Sequence, residues 1–172
     1  MHTLCEDLEG ARDEFEKQVK WTLETENDLE LNYNIIFRVT KEFFNSNEDW
    51  IKSVITDIGR PALIEVIEKR KHYWVAKCDL AALDALGRPL ENPTVQIDVE
   101  SADRFSINVH EEENSFNPPI LHTSPTGSIE RVLCAILEKI AMEEKPQFPL
   151  WLSPTQVTII QVRDQPLPTC LA

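Results

Sequence analysis

Apolar residues recur at Leu4, Leu8, Ala11, Phe15, Val19 and Leu23, three or four positions apart, which is the period of a helix buried along one stripe. Thr3-Leu4-Cys5-Glu6 ahead of them has the T-x-x-E form of a capping box. Leu31, Tyr33, Ile35, Phe37 and Val39 then alternate with mostly polar neighbours and predict a strand with one buried face. A second helix is expected from Ser46-Asn47-Glu48-Asp49 through Trp50, Ile51, Val54, Ile55 and Ile58, stopped by Gly59-Arg60-Pro61. The short apolar run from Ala62 to Ile67 fits a strand, and the basic residues 69–72 fit a turn.

Further strands are expected over Tyr73 to Leu83 and Pro93 to Val99, joined through Ala85-Leu86-Gly87-Arg88-Pro89. Phe105, Ile107 and Val109 alternate briefly, and the polar, proline-bearing stretch from His110 to Pro119 predicts a surface loop. Ile120-Leu121-His122 resumes an extended segment. Gly127-Ser128 opens the strongest helix pattern, with its stripe at Ile129, Val132, Leu133, Ile136, Leu137 and Ile140. Pro146, Pro149 and Pro154 mark a linker, and Val157, Ile159 and Gln161-Val162 suggest one last strand. The order predicts an α+β fold, an antiparallel sheet flanked by helices.

Composition narrows the classes. A chain of 172 residues, 42% hydrophobic, has the size of one domain able to bury a core. No stretch approaches the roughly 20 apolar residues of a membrane span, and the N-terminus lacks a secretory pattern, so a cytoplasmic location is expected. Cysteines at 5, 78, 134 and 170 form no CxxC pair. The net charge of −13 repels polyanions, and independent nucleic-acid binding is not expected.

Chemistry concentrates in Pro118-Pro119-Ile120-Leu121-His122-Thr123-Ser124-Pro125-Thr126-Gly127-Ser128-Ile129-Glu130-Arg131, where a strand leads through a glycine turn into a helix with an arginine one turn inside. Backbone N–H groups at such a start, with a guanidinium beside them, suit phosphate oxygens. Alone, the same residues are also read as a Ser128 N-cap and a solvated Arg131.

The His-x-x-x-x-Gly-Ser-x-Glu-Arg arrangement, followed by an apolar helix and Pro-Leu-Trp-Leu-Ser-Pro-Thr-Gln-Val, resembles motif 3 of class II aminoacyl-tRNA synthetases in the threonyl form. The resemblance, to the archaeal type, continues through Leu29-Glu30-Leu31-Asn32-Tyr33, Arg70-Lys71-His72-Tyr73-Trp74, Asp84-Ala85-Leu86-Gly87-Arg88-Pro89 and Asn92-Pro93-Thr94-Val95-Gln96-Ile97-Asp98. It implies a partial catalytic domain over residues 1–147, with motif 3 at about 122–140, and a linker entering an anticodon-binding domain over 148–172.

The resemblance also assigns roles. ATP and a substrate-binding zinc are the implied cofactors, and threonine and its tRNA the implied partners. Arg131 is the catalytic residue that pairs with ATP phosphate, beside Gly127 and Glu91. Tyr73, Lys77, Gln96 and Ser128 fall at threonine-binding positions, and His2 and His122 at two zinc ligands. Without that context, His2 is a free terminal residue and His122 a hydrogen-bonded histidine at a strand end. Tyr73 is then core packing, Gln96 an outward strand residue, and Lys77 with Asp79 a surface ion pair.

The family's ligand cysteine precedes motif 2, and neither it nor motifs 1 and 2 has a counterpart here. Gln165-Pro166-Leu167-Pro168-Thr169-Cys170-Leu171-Ala172 does not resemble the family continuation and reads like read-through after a frameshift or a new stop. The expectation is a synthetase fragment, inactive alone unless another chain supplies motifs 1 and 2, and with an exposed sheet edge. The alternative is a non-catalytic synthetase-like relic or interaction module.

Overall fold

The computed structural model describes residues 1–111 and 114–160. Strands β1 (His2–Leu4), β2 (Asn34–Thr40), β3 (Ala62–Ile67), β4 (Trp74–Leu83), β5 (Pro89–Asp98) and β8 (Ile120–Ser124) form a six-stranded sheet in the order β1-β8-β5-β4-β2-β3. Helices α1 (Leu8–Asp28), α2 (Lys41–Ile58) and α4 (Ile129–Ala141) accompany it, with a short α3 (Ser101–Arg104) and a hairpin of β6 (Val109–Glu111) and β7 (Asn114–Phe116). The class is α+β as expected, but the sheet is mixed: β2 and β3 pair in parallel, the other neighbours antiparallel. Helix α2 causes this, because it carries the chain from the end of β2 back to the start of β3.

The core lies on one face of the sheet. Phe15 and Val19 of α1 and Ile51 and Val54 of α2 meet Phe37, Val39, Ile97 and Leu121. Phe15 packs at 5.7 Å from Phe37 and 5.6 Å from Trp50, whose indole N–H donates to Glu16 at 2.7 Å. At the sheet's edge, β3 leaves Leu63, Ile64 and Val66 exposed.

Several local expectations are corrected. Helix α1 starts at the Asp7 N-cap, whose carboxylate accepts from the Gly10 N–H at 2.7 Å; Thr3 and Leu4 belong instead to β1. Helix α2 begins at a Thr40 cap, and Asn47 is an internal kink (φ −134°, ψ 23°). There the Asn47 amide donates to the Phe43 carbonyl at 2.9 Å, in competition with the helical backbone. Gly59 ends α2 in the left-handed conformation, φ 70°.

Phe105 and Ile107 form no strand: Phe105 closes α3, a turn follows, and only Val109 of the alternating trio is in a strand, β6; the described part of the expected 110–119 loop carries the β6–β7 hairpin. Ser128 caps α4 as expected, although Ile129, Leu133 and Leu137 of its stripe remain exposed. Residues 157–160 form no strand, and Gln161 and Val162 lie outside the described residues. Among the described residues no helix is long and apolar enough to cross a membrane.

Candidate functional site

Strand register assembles the site on the sheet face opposite the core. His2 of β1 pairs with His122 of β8, His122 with Gln96 of β5, Gln96 with Lys77 of β4, Lys77 with Arg38 of β2, and Arg38 with Glu65 of β3. One polar row therefore crosses every strand. It follows from the pleat, which sends alternate residues to one face, and from registers that align those residues.

His2 is held firmly for a residue so near a terminus. The Thr123 N–H donates to the Met1 carbonyl at 2.9 Å, and the Cys5 N–H to the Pro119 carbonyl at 3.0 Å. On the core side, Gln18 of α1 bonds to both Thr3 and Thr123, clamping β1 and β8 from below. The His2 and His122 rings lie 4.8 Å apart, edge to face, beside a cleft of about 250 Å³ lined also by Thr94 and Ser124.

Tyr73 stands over this end of the row, its ring 5.4 Å from that of His122 and its hydroxyl donating to Gln96 Oε1 at 2.6 Å. Partial burial, then the Asp98 charge, pushes its phenol up. Asp98, 1% exposed, meets His122 Nε2 through Oδ2 at 2.7 Å. Its Oδ1 accepts the Glu100 and Ser101 N–H groups at 2.8 and 2.9 Å. Burial pushes the Asp98 carboxyl up, yet the hydrogen bonds from Ser101, Glu100 and His122 outweigh it and hold the group below the usual carboxylate range.

The middle of the row is a charge network. Lys77 Nζ lies 3.0 Å from Asp79, whose side chain is only 3% exposed, so the pair is not the surface contact its spacing suggests. Arg38 bonds to Asp79, to Glu65 at 2.9 Å, and to Glu91 at 2.7 and 3.1 Å. The hydrogen bond from Arg38, with its charge, holds the Glu91 carboxyl below its ordinary value.

Glu91 and Gln96 are five residues apart, an odd spacing that strict alternation sends to opposite faces. A register shift resolves this: Asp79 pairs with Thr94 but Ala81 with Glu91, so β5 carries one extra residue at Asn92-Pro93. The bulge aims Glu91 at the open face and leaves Asn92 buried.

Gly127, Ser128 and Arg131 gather beside Glu91 rather than beside the histidines. Arg131 is exposed in the first turn of α4, and its guanidinium donates to the Glu91 carbonyl at 3.0 Å. Ser128 Oγ accepts the Arg131 N–H at 3.3 Å. Gly127 has φ +74°, and a Cβ there would stand 2.6 Å from the Asn92 carbonyl oxygen. The structure thus joins His2, His122, Tyr73 and Gln96 at one end and Glu91, Gly127, Ser128 and Arg131 at the other, with Lys77 between. Arg38, Asp98 and Asn92 were not singled out from sequence; the proline inside a strand pattern at Pro93 is the signal that points to the bulge.

No family model matches the chain. It is 53% identical over 96% of its length to the threonine–tRNA ligase of Methanocaldococcus jannaschii and 54% identical over 96% to that of Methanoculleus marisnigri, of which it spans 28% and 27%. Its fold is like that of a solved structure described as the RNA binding domain of threonyl-tRNA synthetase from Cryptosporidium parvum, with TM-score 0.69, 24% identity, and coverage of 89% of this chain and 39% of that one. It is also like ThrRS-1 from Aeropyrum pernix, with TM-score 0.62, 20% identity, and coverage of 83% and 35%. The homologues of this chain are archaeal threonyl-tRNA synthetases, of which it spans little more than a quarter.

Proposed function

We propose that this chain is the motif 3 portion of a class II threonyl-tRNA synthetase catalytic core, taking part in ATP-dependent activation of threonine and its transfer to tRNA. The observation that carries the reading is the polar row, which gathers on one sheet face His2, His122, Gln96 and Lys77, four of the residues the family resemblance names. Residues 1–147 belong to that core in this reading, and 148–172 lead toward an anticodon-binding domain.

His2 and His122 suit two of three zinc ligands. They face each other on adjacent strands, and Asp98 engages one nitrogen of His122, an outer-shell contact that orients the ring and leaves its other nitrogen for a metal. Among the described residues no three metal-binding side chains converge; the third ligand in this reading is the cysteine that the family resemblance places before motif 2. Bound zinc supplies open positions for the threonine amino and hydroxyl groups. Valine leaves the hydroxyl position poorly filled, a stronger discrimination than an apolar pocket gives. Tyr73, Gln96 and Lys77 line the threonine side, and Ser128 stands by the helix turn.

Arg131, with the N–H groups at the start of α4, holds ATP phosphate while a threonine carboxylate oxygen attacks the α-phosphorus and pyrophosphate leaves. Such in-line transfer needs positioning and charge stabilisation and no covalent protein intermediate. Gly127 allows the close approach, and Glu91, fixed by Arg38, borders the nucleotide.

The test is threonine-dependent pyrophosphate exchange. The purified chain alone is expected to give none, and a chain carrying motifs 1 and 2 is expected to restore it. Exchange by the chain alone, or no restoration, refutes the reading.

A second reading, an RNA-binding module without catalysis, is favoured by the description of the Cryptosporidium parvum structure and by the basic run Lys69-Arg70-Lys71-His72 next to Tyr73. Binding of tRNA by the isolated chain near physiological salt, without exchange in any mixture, selects it.

A further inference from the structure

Five charged side chains meet where β2, β3, β4 and β5 lie side by side: Arg38, Glu65, Lys77, Asp79 and Glu91. Two cations stand among three carboxylates, so the way the cations are shared decides where each group sits.

The sharing is unequal. Arg38 donates from Nε to Glu65 at 2.9 Å and meets both oxygens of Glu91, Nη2 to Oε1 at 2.7 Å and Nη1 to Oε2 at 3.1 Å. Its Nη1 also donates to Asp79 Oδ2. Lys77 meets Asp79 Oδ1 at 3.0 Å. Asp79, buried, is therefore the shared carboxylate, with one oxygen on each cation.

Lys77 stands close enough for its charge to act on Glu91, and a free Glu91 would draw the ammonium to itself. Arg38 forestalls that pairing by occupying both Glu91 oxygens. An ammonium carries three donors, and with one on Asp79 two remain for a ligand. The guanidinium is suited to this task because its planar fork reaches three carboxylates at once in fixed directions, which a single lysine nitrogen does not.

We infer that Arg38 is a positioning residue for both substrates, fixing Glu91 on the nucleotide side directly and Lys77 on the threonine side through Asp79, and keeping the two from pairing with each other. Its value to the reaction rests on the roles proposed above for Glu91 and Lys77, while the three-way grip is a property of the fold.

The grip is read first, on the whole chain without substrate. Nitrogen-15 NMR should resolve separate Nη1 and Nη2 signals for Arg38, since bonds to carboxylates on three strands stop its guanidinium from rotating; one averaged signal overturns the inference. The reaction is read second, by threonine-dependent pyrophosphate exchange with the chain that supplies motifs 1 and 2. Arg38→Lys, which keeps the charge and loses the fork, should raise KM for ATP and for threonine by roughly tenfold each, the loss of about one hydrogen bond between charged groups. Asp79→Asn should raise KM for threonine more than KM for ATP, because it touches Lys77 and not Glu91. Glu65→Gln, at the exposed arm of the grip, should leave both near wild type. Fewer folded molecules lower kcat and leave KM alone, so a fall in kcat with both KM values unchanged overturns the positioning role. If Arg38→Lys does not fold, an unchanged threonine KM in Asp79→Asn does the same. No exchange from the complemented wild-type chain is a different failure: it refutes the synthetase reading, and the substrate role of Arg38 falls with it even where the two NMR signals are separate.

Discussion

Gly127→Ala isolates the approach of α4 to β5. An alanine at φ +74° incurs the left-handed cost of about 1–2 kcal/mol. Its Cβ would also lie 2.6, 2.8 and 2.9 Å from the carbonyl oxygen, carbonyl carbon and Cα of Asn92, all backbone atoms that no rotamer change can move aside. Overpacking of this kind adds about 1–3 kcal/mol, for a total of about 2–5 kcal/mol. Gly59→Ala is the control. Its φ of +70° carries the same conformational cost, but nothing lies within 4 Å of its Cβ, so a loss of about 1–2 kcal/mol is expected. Urea unfolding followed by circular dichroism measures both, the difference appearing in the midpoint at unchanged slope. Equal losses in the two variants refute the close contact between α4 and the bulge.

Two further predictions concern charge. Glu26 is held at about 7 in the folded protein against an ordinary 4.5, so the native state binds its proton more tightly than the unfolded chain. Its contribution is then most favourable below about pH 4.5, declines as pH rises to about 7, and levels above, a change of about 3 kcal/mol. Stability of the wild type minus that of Glu26→Gln, measured by urea melts from pH 5 to 8, should fall across this window, and a flat difference refutes the assignment. Arg38→Met leaves Glu91 without its cation and Asp79, 3% exposed, with Lys77 alone. A loss of about 3 kcal/mol is expected, because a buried carboxylate loses a partner; a thermal midpoint near wild type shows that the network adds no stability.

Sequence patterning located β2 and α4 because each carries its periodicity within itself, and β3 and β4 as short strand-like runs between turn signals. It misplaced the start of α1 because Thr3 and Leu4 are claimed by β8, more than a hundred residues away, and long-range pairing overrides a local capping pattern. The start of α2 was hidden because Thr40 closes a strand and caps a helix at once. The parallel pairing of β3 left no alternating signature, since its apolar residues occupy both faces.

In the site, motif residues were legible one by one, but their neighbours were not. Asp98 reads as the polar end of an alternating strand until Ser101 and His122 are folded against it. Arg38 reads as an outward residue until Asp79 and Glu91 arrive from two other strands. The net charge of −13 says nothing of where the cations gather.

The row from His2 to Glu65 makes this surface sensitive to length more than to chemistry. A substitution in it changes one side chain, but one residue inserted into β5 or β8 trades Gln96 for Val95, or His122 for Leu121, and turns the opposite parity toward solvent. Two inserted residues restore parity yet slide the strand by about 7 Å, away from its neighbours. Variation in chain length among relatives should therefore collect in the Asp84–Arg88 turn and the segment between Asp98 and Ile120, while the strands exchange residues without gaps. The Asn92-Pro93 bulge is a deliberate exception, a single odd step without which Glu91 would face the helices.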